Sequence, residues 1–136
     1  MSRNIDDLNP KVASLCHKFI VACAKQGIEV LITSTLRTEA EQAALYAQGR
    51  TKPGARVTNA KPGFSMHNFA CAFDFVPIIH GKAQWDDQTS FEKCGAIGES
   101  LGLEWAGRWL KFQEMCHFQF TGGLTLADFR SGKRLA

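Results

Sequence analysis

The stretch FSMHNFACAFDF, residues 64–75, holds a single carboxylate, Asp74, in a run of apolar and small residues. Removing an unpaired carboxylate from water is costly, so a buried one needs a cation, a proton or several hydrogen-bond donors beside it. Three explanations are open for Asp74: a structural partner, a catalytic role, or a bound metal ion. The identity of that partner constrains both how the chain folds and what it does.

The composition is that of an ordinary globular protein, with 45% hydrophobic and 21% charged residues in a chain of 136. This length fits one domain with a substantial core, spanning residues 1–136. The net charge of +3 is mild, and no dense basic patch with interleaved aromatic residues is present, so we expect no nucleic-acid partner. No apolar stretch approaches the ~20 residues of a transmembrane helix, so we expect no stable membrane association.

The chain has five cysteines, an odd number, and no C-x-x-C pair. This pattern argues against a disulfide framework and against a four-thiolate zinc site. Buried free thiols in a protein that folds in a reducing cytosol are expected instead. The N-terminal residues MSRNIDDLNP lack the apolar segment of a secretory signal peptide. A substrate outside the cytoplasm would therefore have to be reached by another route.

The first half of the chain predicts two helices with a strand between them. Asn9 followed by proline is typical of a helix start, and apolar residues at helical spacing continue to a stop at Gly27. The segment IEVLIT, residues 28–33, predicts a strand. Thr38 with a glutamate three residues later forms a capping-box pattern, which predicts a helix over 39–48.

The second half of the chain predicts more strand than helix. A polar loop over 50–63 leads into a strand that ends at about Val76, followed by a turn at His80. A third helix is predicted over 88–101, and alternation predicts a strand over 116–120. We therefore expect an α+β fold: a small single domain with a short antiparallel sheet and about three helices.

A metal ion bound by both His67 and Asp74 requires the chain to fold back between them. Two zinc ligands lie roughly 3 Å apart, whereas seven residues of helix separate Cα atoms by ~10 Å and seven residues of strand by ~23 Å. We therefore expect His67 on a turn and Asp74 on the strand that follows. Ala72 would share the face of Asp74, while Phe73 and Phe75 would point to the opposite face.

A third ligand must come from another part of the chain. Of the other histidines, His17 falls among polar positions of the first helix and His80 lies in a predicted turn. His117 shares a strand face with Gln119, and Glu114 precedes it by three residues, close enough to reach a metal-bound water. Two histidines and a carboxylate, with a second carboxylate nearby, match a catalytic zinc site with an open fourth position.

Spacing alone leaves other kinds of site open. A histidine in an apolar stretch can be a hydrogen-bonded core residue, and Glu-x-x-His occurs often by chance. Cys71 or Cys116 could replace a ligand, or one of them could be a nucleophile paired with a histidine. Strand alternation disfavours both, because it places them on the faces opposite Asp74 and His117.

Several segments of the chain resemble the D-Ala-D-Ala-type zinc peptidases. SMHNFACAFD, residues 65–74, resembles their Ser-x-His-x(6)-Asp signature, and WAGRWLKFQEMCH, residues 105–117, resembles their second signature. The segments over 34–54 and 57–63 are similar to one branch, the L-alanyl-D-glutamate peptidases of phage endolysins and related bacterial cell-wall enzymes. The resemblance runs from about residue 8 to the C-terminal tail.

The resemblance implies one zinc ion, with His67, Asp74 and His117 as its ligands. It also implies that Glu114 is the general base that activates a water molecule. Arg37 matches the family arginine near the substrate carbonyl, where a permanent, fork-shaped cation would bind substrate and stabilise the developing oxyanion.

The resemblance further implies two substrate-binding residues, Ser65 and Gln42, each with a simpler alternative. The Ser65 hydroxyl could cap a turn, and Gln42 could cover a helix face. The chain also departs from the family pattern: Ala70 stands where many relatives have glycine, Arg108 where aspartate is frequent, and Glu114 where many use aspartate. None of these departures removes a ligand, but Arg108 could change the charge near the cleft mouth.

The function that the resemblance implies is hydrolysis of the L-Ala–D-Glu bond in peptidoglycan stem peptides, which lyses the bacterial cell wall. Such an endolysin is expected to be a monomer without a separate wall-binding domain. It would be made in the host cytoplasm and reach the wall through a holin-made lesion. Two alternatives stay open: a D-Ala-D-Ala dipeptidase or carboxypeptidase, and a binding module that keeps zinc but has lost catalysis.

Overall fold

Four helices and five strands follow one another in the computed structural model, which describes residues 1–136. The helices are α1 Pro10–Lys25, α2 Glu39–Ala47, α3 Gln88–Ser100 and α4 Leu126–Arg130. The strands are β1 Glu29–Ser34, β2 Ala72–Ile79, β3 Lys82–Ala83, β4 Glu104–Trp105 and β5 His117–Gln119. The α+β class predicted from the sequence is confirmed.

The helix starts follow from local hydrogen bonds that the sequence encodes. The Asn9 side chain accepts a bond from the Lys11 backbone N–H, which satisfies one free donor at the start of α1. Thr38 and Glu41 form a complete capping box at the start of α2. Both predicted starts are confirmed. None of the helices combines the length and the apolar character needed to cross a membrane.

The sheet is antiparallel and places Asp74 between two neighbouring strands. Its strand order is β1-β2-β5-β4, and β3 forms a hairpin with the end of β2. In this register Asp74 lies opposite Ser34 of β1 on one side and His117 of β5 on the other. A bulge between Ile32 and Ser34 shifts the register of β1 just before that point. Strand pairing therefore brings a residue from each neighbouring strand to the carboxylate.

The hydrophobic core lies on the sheet face opposite Asp74. Phe73 and Phe75 of β2 are fully buried there, as the alternation predicted. Their rings contact Phe19 of α1 and Phe118 of β5, with ring centroids between 5.1 and 6.0 Å apart. Helix α3 approaches closely because Gly98 faces the Phe118 ring, where an added Cβ would lie 2.4 Å from a ring atom. This rigid aromatic layer holds β2 and β5 in place.

Three details differ from the sequence-based prediction. Strand β2 continues to Ile79 before the predicted turn at His80, whose φ is 52°. The segment Glu104–Trp105 pairs with β5 as an extra strand that the sequence did not predict. Helix α4 was not predicted, although Thr125 and Asp128 form a capping box at its start. At five residues α4 is too short to show helical periodicity, so its capping pattern was its only local signal.

Candidate metal centre

His67 lies on the short 3-10 turn Met66–Phe69, immediately before β2. The Ser65 hydroxyl accepts a hydrogen bond from the His67 backbone N–H at 3.2 Å, and Asn68 completes a capping box. The turn ends at Ala70, whose φ of 59° lies in the left-handed region that favours glycine. A non-glycine residue in that region costs about 1–2 kcal/mol, which the caps have to offset. The predicted arrangement of a turn followed by a strand is confirmed.

Three metal-ligating side chains converge beside this turn. The distance from His67 Nε2 to Asp74 Oδ1 is 3.1 Å, and that from His117 Nδ1 to the same oxygen is 3.2 Å. The three potential ligand atoms all lie within 4.8 Å of one another. Both histidines are buried, and the Asp74 side chain is 16% exposed. The separations match those between ligands of one zinc ion, which are roughly 3 Å.

Hydrogen bonds on the far side of each imidazole determine which nitrogen faces Asp74 with a free lone pair. His67 Nδ1 lies 2.8 Å from the Thr35 carbonyl oxygen, so this nitrogen donates its proton and Nε2 is free. His117 Nε2 lies 2.9 Å from Gln119 Oε1, which leaves its Nδ1 free in the same way. When both imidazoles are neutral, two lone pairs and a carboxylate face one point with no proton between them. Such a set of acceptors fits a cation, and nitrogen with oxygen ligands suits zinc.

The charges in this cluster show that a proton and a metal ion would compete for the imidazole nitrogens beside Asp74. Burial raises the pKa of Asp74, but the charge on His67 and the hydrogen bonds from both imidazoles bring it below its ordinary value. Burial lowers the pKa of His117, but the hydrogen bond to Asp74 and its charge outweigh that effect and raise it. Without a metal ion, Asp74 is therefore ionised and favours a proton on the neighbouring imidazole.

We expect zinc affinity to fall steeply as the pH drops below neutrality. Zinc binds neutral imidazole, so each histidine that must lose a proton lowers the apparent affinity by about tenfold per pH unit below its pKa. Because Asp74 raises the pKa of His117, the loss should begin at a higher pH than for a free imidazole. Competition with a fluorescent chelator between about pH 5 and pH 8 measures this dependence. An affinity that does not change over this range would contradict the proposed ligands.

Gln119 is a residue whose role the sequence indicated only by its shared face with His117. Its Oε1 holds the His117 imidazole, and its Nε2 donates to Glu104 Oε2 at 3.4 Å, which fixes the amide orientation. We expect Gln119→Ala to weaken zinc binding by about 10- to 100-fold, because partners behind a ligand orient it and set its tautomer. Equilibrium dialysis against zinc measures the change. Gln88→Ala, on the exposed side of α3, is the matched control and should retain wild-type affinity.

Glu114 and Arg37 both lie beside the three ligands. Glu114 Oε2 is 4.0 Å from His117 Nδ1, and the Glu114 side chain is 50% exposed to the cleft. Arg37 Nη2 is 3.9 Å from Asp74 Oδ2, and the Arg37 side chain is only 11% exposed. A carboxylate that can exchange a proton and a permanent cation thus face the same point. This pair could move a proton and stabilise negative charge on a bound carbonyl.

Gln42 lies beneath the cleft, which corrects the prediction that it contacts substrate. Its side chain is fully buried, so a ligand in the cleft cannot touch it. Gln42 Oε1 accepts a hydrogen bond from Arg37 Nη1 at 3.0 Å, and Gln42 Nε2 donates to the Ala60 carbonyl at 2.8 Å. Gln42 therefore positions Arg37 and links it to the loop that follows α2. The sequence did not indicate this burial, because the contact joins segments about 18 residues apart.

The ligands lie at the floor of an open cleft of about 590 Å³. Ser65 lines this cleft while its hydroxyl caps the turn, so both roles predicted for it are compatible with its position. Apolar side chains form much of the remaining wall: Leu45, Val57, Phe64, Trp109, Phe112 and Leu126. The cleft could therefore enclose a peptide and exclude part of its water.

The two cysteines considered as alternative site residues have different positions. Cys71 is buried away from the cleft, as predicted, and burial raises the pKa of its thiol to about 11. The prediction for Cys116 was wrong, because Cys116 lines the cleft, and its Sγ lies within 4.8 Å of carboxylate oxygens of Asp74 and Glu114. It precedes the first residue of β5, so strand alternation does not apply to it. Burial and the two carboxylates raise its pKa to about 12, which makes it a weak nucleophile at neutral pH.

Three other residues considered from the sequence lie outside the cleft. His17 is exposed on α1, and His80 is exposed in the hairpin turn after β2, so neither joins the ligands. Arg108 pairs with Glu99 of α3 at 3.0 Å and does not line the cleft. The arginine at this position therefore does not contribute a charge to the cleft wall.

Comparison with known proteins gives matches to peptidoglycan peptidases over most of the chain. Residues 6–122 match the family described as D-alanyl-D-alanine carboxypeptidase, VanY. The chain is 37% identical over 122 residues to the peptidoglycan L-alanyl-D-glutamate endopeptidase CwlK of Bacillus subtilis, covering 83% of this chain and 73% of the relative. It is 33% identical over 119 residues to the L-alanyl-D-glutamate peptidase of a Listeria phage, covering 86% of this chain and 39% of the relative.

A solved structure confirms the fold. The vancomycin-resistance D,D-pentapeptidase VanY from a VanB-type cassette, a mutant in complex with Zn(II), superimposes with a TM-score of 0.64 at 14% identity. The match covers 90% of this chain and 83% of the other. At this identity the comparison shows a shared fold.

Proposed function

Because the chain belongs to the VanY family of D-alanyl-D-alanine carboxypeptidases, we propose that it is a zinc peptidase that hydrolyses the L-Ala–D-Glu bond of peptidoglycan stem peptides. The observation that carries this proposal is the convergence of two imidazole lone pairs and a carboxylate at the floor of the cleft. The choice of bond rests on the two curated relatives, both of which are named for the L-alanyl-D-glutamate linkage.

One zinc ion would be held by His67 Nε2, Asp74 and His117 Nδ1, the atoms that face one another across the cleft floor. The Zn(II) complex of the structural neighbour supports this choice of metal. When bound, zinc supplies a Lewis acid that lowers the pKa of water and polarises a carbonyl. Burial of both imidazoles and the hydrogen bonds that they donate to Thr35 and Gln119 keep the ligands in place before substrate arrives.

Glu114 and Arg37 would perform the proton transfer and the charge stabilisation. Glu114 is exposed to the cleft and accepts the proton of the attacking water, then donates it to the amine of the leaving D-Glu. Arg37 donates hydrogen bonds to the scissile carbonyl as negative charge develops on its oxygen. The bonds that Arg37 makes to Gln42 and Ser34 hold the guanidinium in this position. The reaction breaks one amide bond and consumes one water.

Mass spectrometry of purified murein digested with the zinc-loaded protein tests this proposal. Cleavage at L-Ala–D-Glu releases stem peptides that begin with D-Glu and leaves L-Ala on the glycan. The alternative dipeptidase or carboxypeptidase releases D-alanine only, and a binding module that lacks catalysis releases neither. Digests that contain free D-alanine and no peptide beginning with D-Glu would refute the proposed bond.

We also propose that the protein lyses bacteria from within, as a phage or prophage endolysin. The phage relative supports this setting. Expression in the bacterial cytoplasm alone should leave the culture intact, whereas coexpression with a holin should cause its turbidity to fall rapidly. Lysis without a holin would contradict the proposed route to the wall.

A further inference from the structure

A second, smaller cavity adjoins the cleft on the side of Glu114. Its volume is about 210 Å³, and it lies between the loop Arg56–Asn59 and the segment Phe112–Glu114. Several residues line both cavities, and Glu114 is one of them. Arg56 and Gln113 line only the smaller cavity. The smaller cavity therefore lies next to the cleft, and Glu114, the proposed general base, is in the wall that they share.

Arg56 is the only cation that lines this cavity, and it has no anionic partner in the chain. No carboxylate lies within 4.0 Å of its guanidinium, and its one side-chain hydrogen bond is a long one, 3.5 Å from Nε to the Gly49 carbonyl. The sequence between Glu41 and Asp74 contains no acidic residue at all. Most of the five donors of Arg56 are thus free to bind a ligand.

The amide side chains next to Arg56 can also donate hydrogen bonds to a ligand. The Asn59 side chain makes no hydrogen bond within the chain, and it lines the cavity beside Arg56. Gln113 donates to the Gly107 carbonyl at 2.6 Å, which holds the opposite wall in place. An arginine with free donors and an unbonded amide suit an anionic group, above all a carboxylate, which arginine binds in a bidentate manner.

The proposed reaction places a carboxylate near this cavity. Glutamate has two carboxyl groups, and the stem peptide continues through only one of them, so the leaving D-Glu carries a second carboxyl group. Glu114 has to lie beside the amine of that D-Glu in order to protonate it. The D-Glu residue is therefore on the Glu114 side of the scissile bond, where the smaller cavity opens.

We infer that Arg56 binds the free carboxylate of the leaving D-Glu in this cavity and so makes the enzyme selective for a stem peptide with an unmodified D-Glu. This inference rests on the proposed function. Arg56 would be a specificity residue, because it contacts the substrate away from the bond that breaks. An amidated D-Glu, which lacks the negative charge, would lose the charge-assisted hydrogen bonds.

The test compares two synthetic stem peptides that differ only in whether this carboxyl group of D-Glu is free or amidated. The wild-type, zinc-loaded protein should cleave the free form with a kcat/KM about tenfold or more higher than the amidated form. Arg56→Gln should lower kcat/KM for the free form by about 10- to 100-fold and leave the amidated form nearly unchanged. Arg56→Lys should keep part of the preference for the free form, because lysine keeps the positive charge but lacks the planar guanidinium that binds a carboxylate in a bidentate manner.

Lys52→Gln is the matched control, since Lys52 is an exposed cation of the same loop that lines neither cavity. It should change both rates by less than about twofold, because exposed charges far from the substrate are screened. Equal losses on both peptides in Arg56→Gln, or no loss on either, would overturn the inference while the proposed function stands. If the wild-type protein cleaves neither peptide at L-Ala–D-Glu, the proposed function fails and this inference fails with it.

Discussion

Replacement of Glu114 by glutamine is expected to lower kcat/KM on murein by about 10²- to 10⁴-fold and to leave the zinc content at one ion per chain. Glutamine has nearly the same size but cannot accept a proton from water. Glu114 is half-exposed and is not one of the three converging ligands, so the substitution should disturb neither the fold nor the metal. Release of stem peptides measures activity, and atomic absorption measures zinc.

The matched control for this variant removes a carboxylate elsewhere. Glu92 is exposed on α3, away from the cleft, and Glu92→Gln should retain wild-type activity. This pair separates the loss of a proton acceptor from the loss of one negative charge on the protein. Full activity in Glu114→Gln would exclude Glu114 as the general base, and loss of zinc would indicate that it acts as a ligand.

Replacement of His67 by alanine is expected to abolish zinc binding under ordinary conditions. If binding of this ion is worth about 10–16 kcal/mol, loss of one of its ligands should weaken it by roughly a thousandfold or more. The substitution also leaves Asp74 without the nearer of its two imidazole partners, at 3.1 Å. Because a ligand that binds only the folded state stabilises it, added zinc should raise the melting temperature of the wild-type protein but not of this variant.

His17→Ala is the control for this second prediction, because His17 is an exposed histidine on α1 with no place among the ligands. It should bind zinc and respond to it as the wild-type protein does. A His67→Ala protein that keeps stoichiometric zinc and cleaves murein normally would remove His67 from the metal site. If that variant is folded without zinc, circular dichroism will show it, and the zinc measurement stays decisive.

The sequence contained enough local information to predict most of the secondary structure, whereas the full set of three converging residues was implied by the resemblance to the zinc peptidases. Helix starts depend on side chains within three or four residues, as in the capping box of Thr38 and Glu41. Burial on strands follows a period of two, so Phe73 and Phe75 were placed correctly opposite Asp74. The seven-residue spacing of His67 and Asp74 excluded a continuous helix or strand and predicted the turn that the structure contains.

The positions of other residues depended on contacts between segments far apart in the chain. Gln42 is buried because the loop that contains Ala60 folds over α2, and no local pattern encodes that contact. Cys116 faces the cleft because it lies just outside β5, where alternation no longer gives the direction of a side chain. Arg56 and Glu114 come to line one cavity only after two loops more than 50 residues apart approach each other.

The sequence by itself determined the three longer helices, the buried faces of the strands, and the types and spacing of the residues that could bind a metal ion. Only the tertiary structure decided which nitrogen of each imidazole faces Asp74, because the Thr35 carbonyl and the Gln119 amide lie behind the rings. The physical reason is the distance along the chain over which each effect acts. Periodicity and capping act over a few residues, whereas the protonation of a ring and the shape of a cleft depend on atoms that strand pairing brings together.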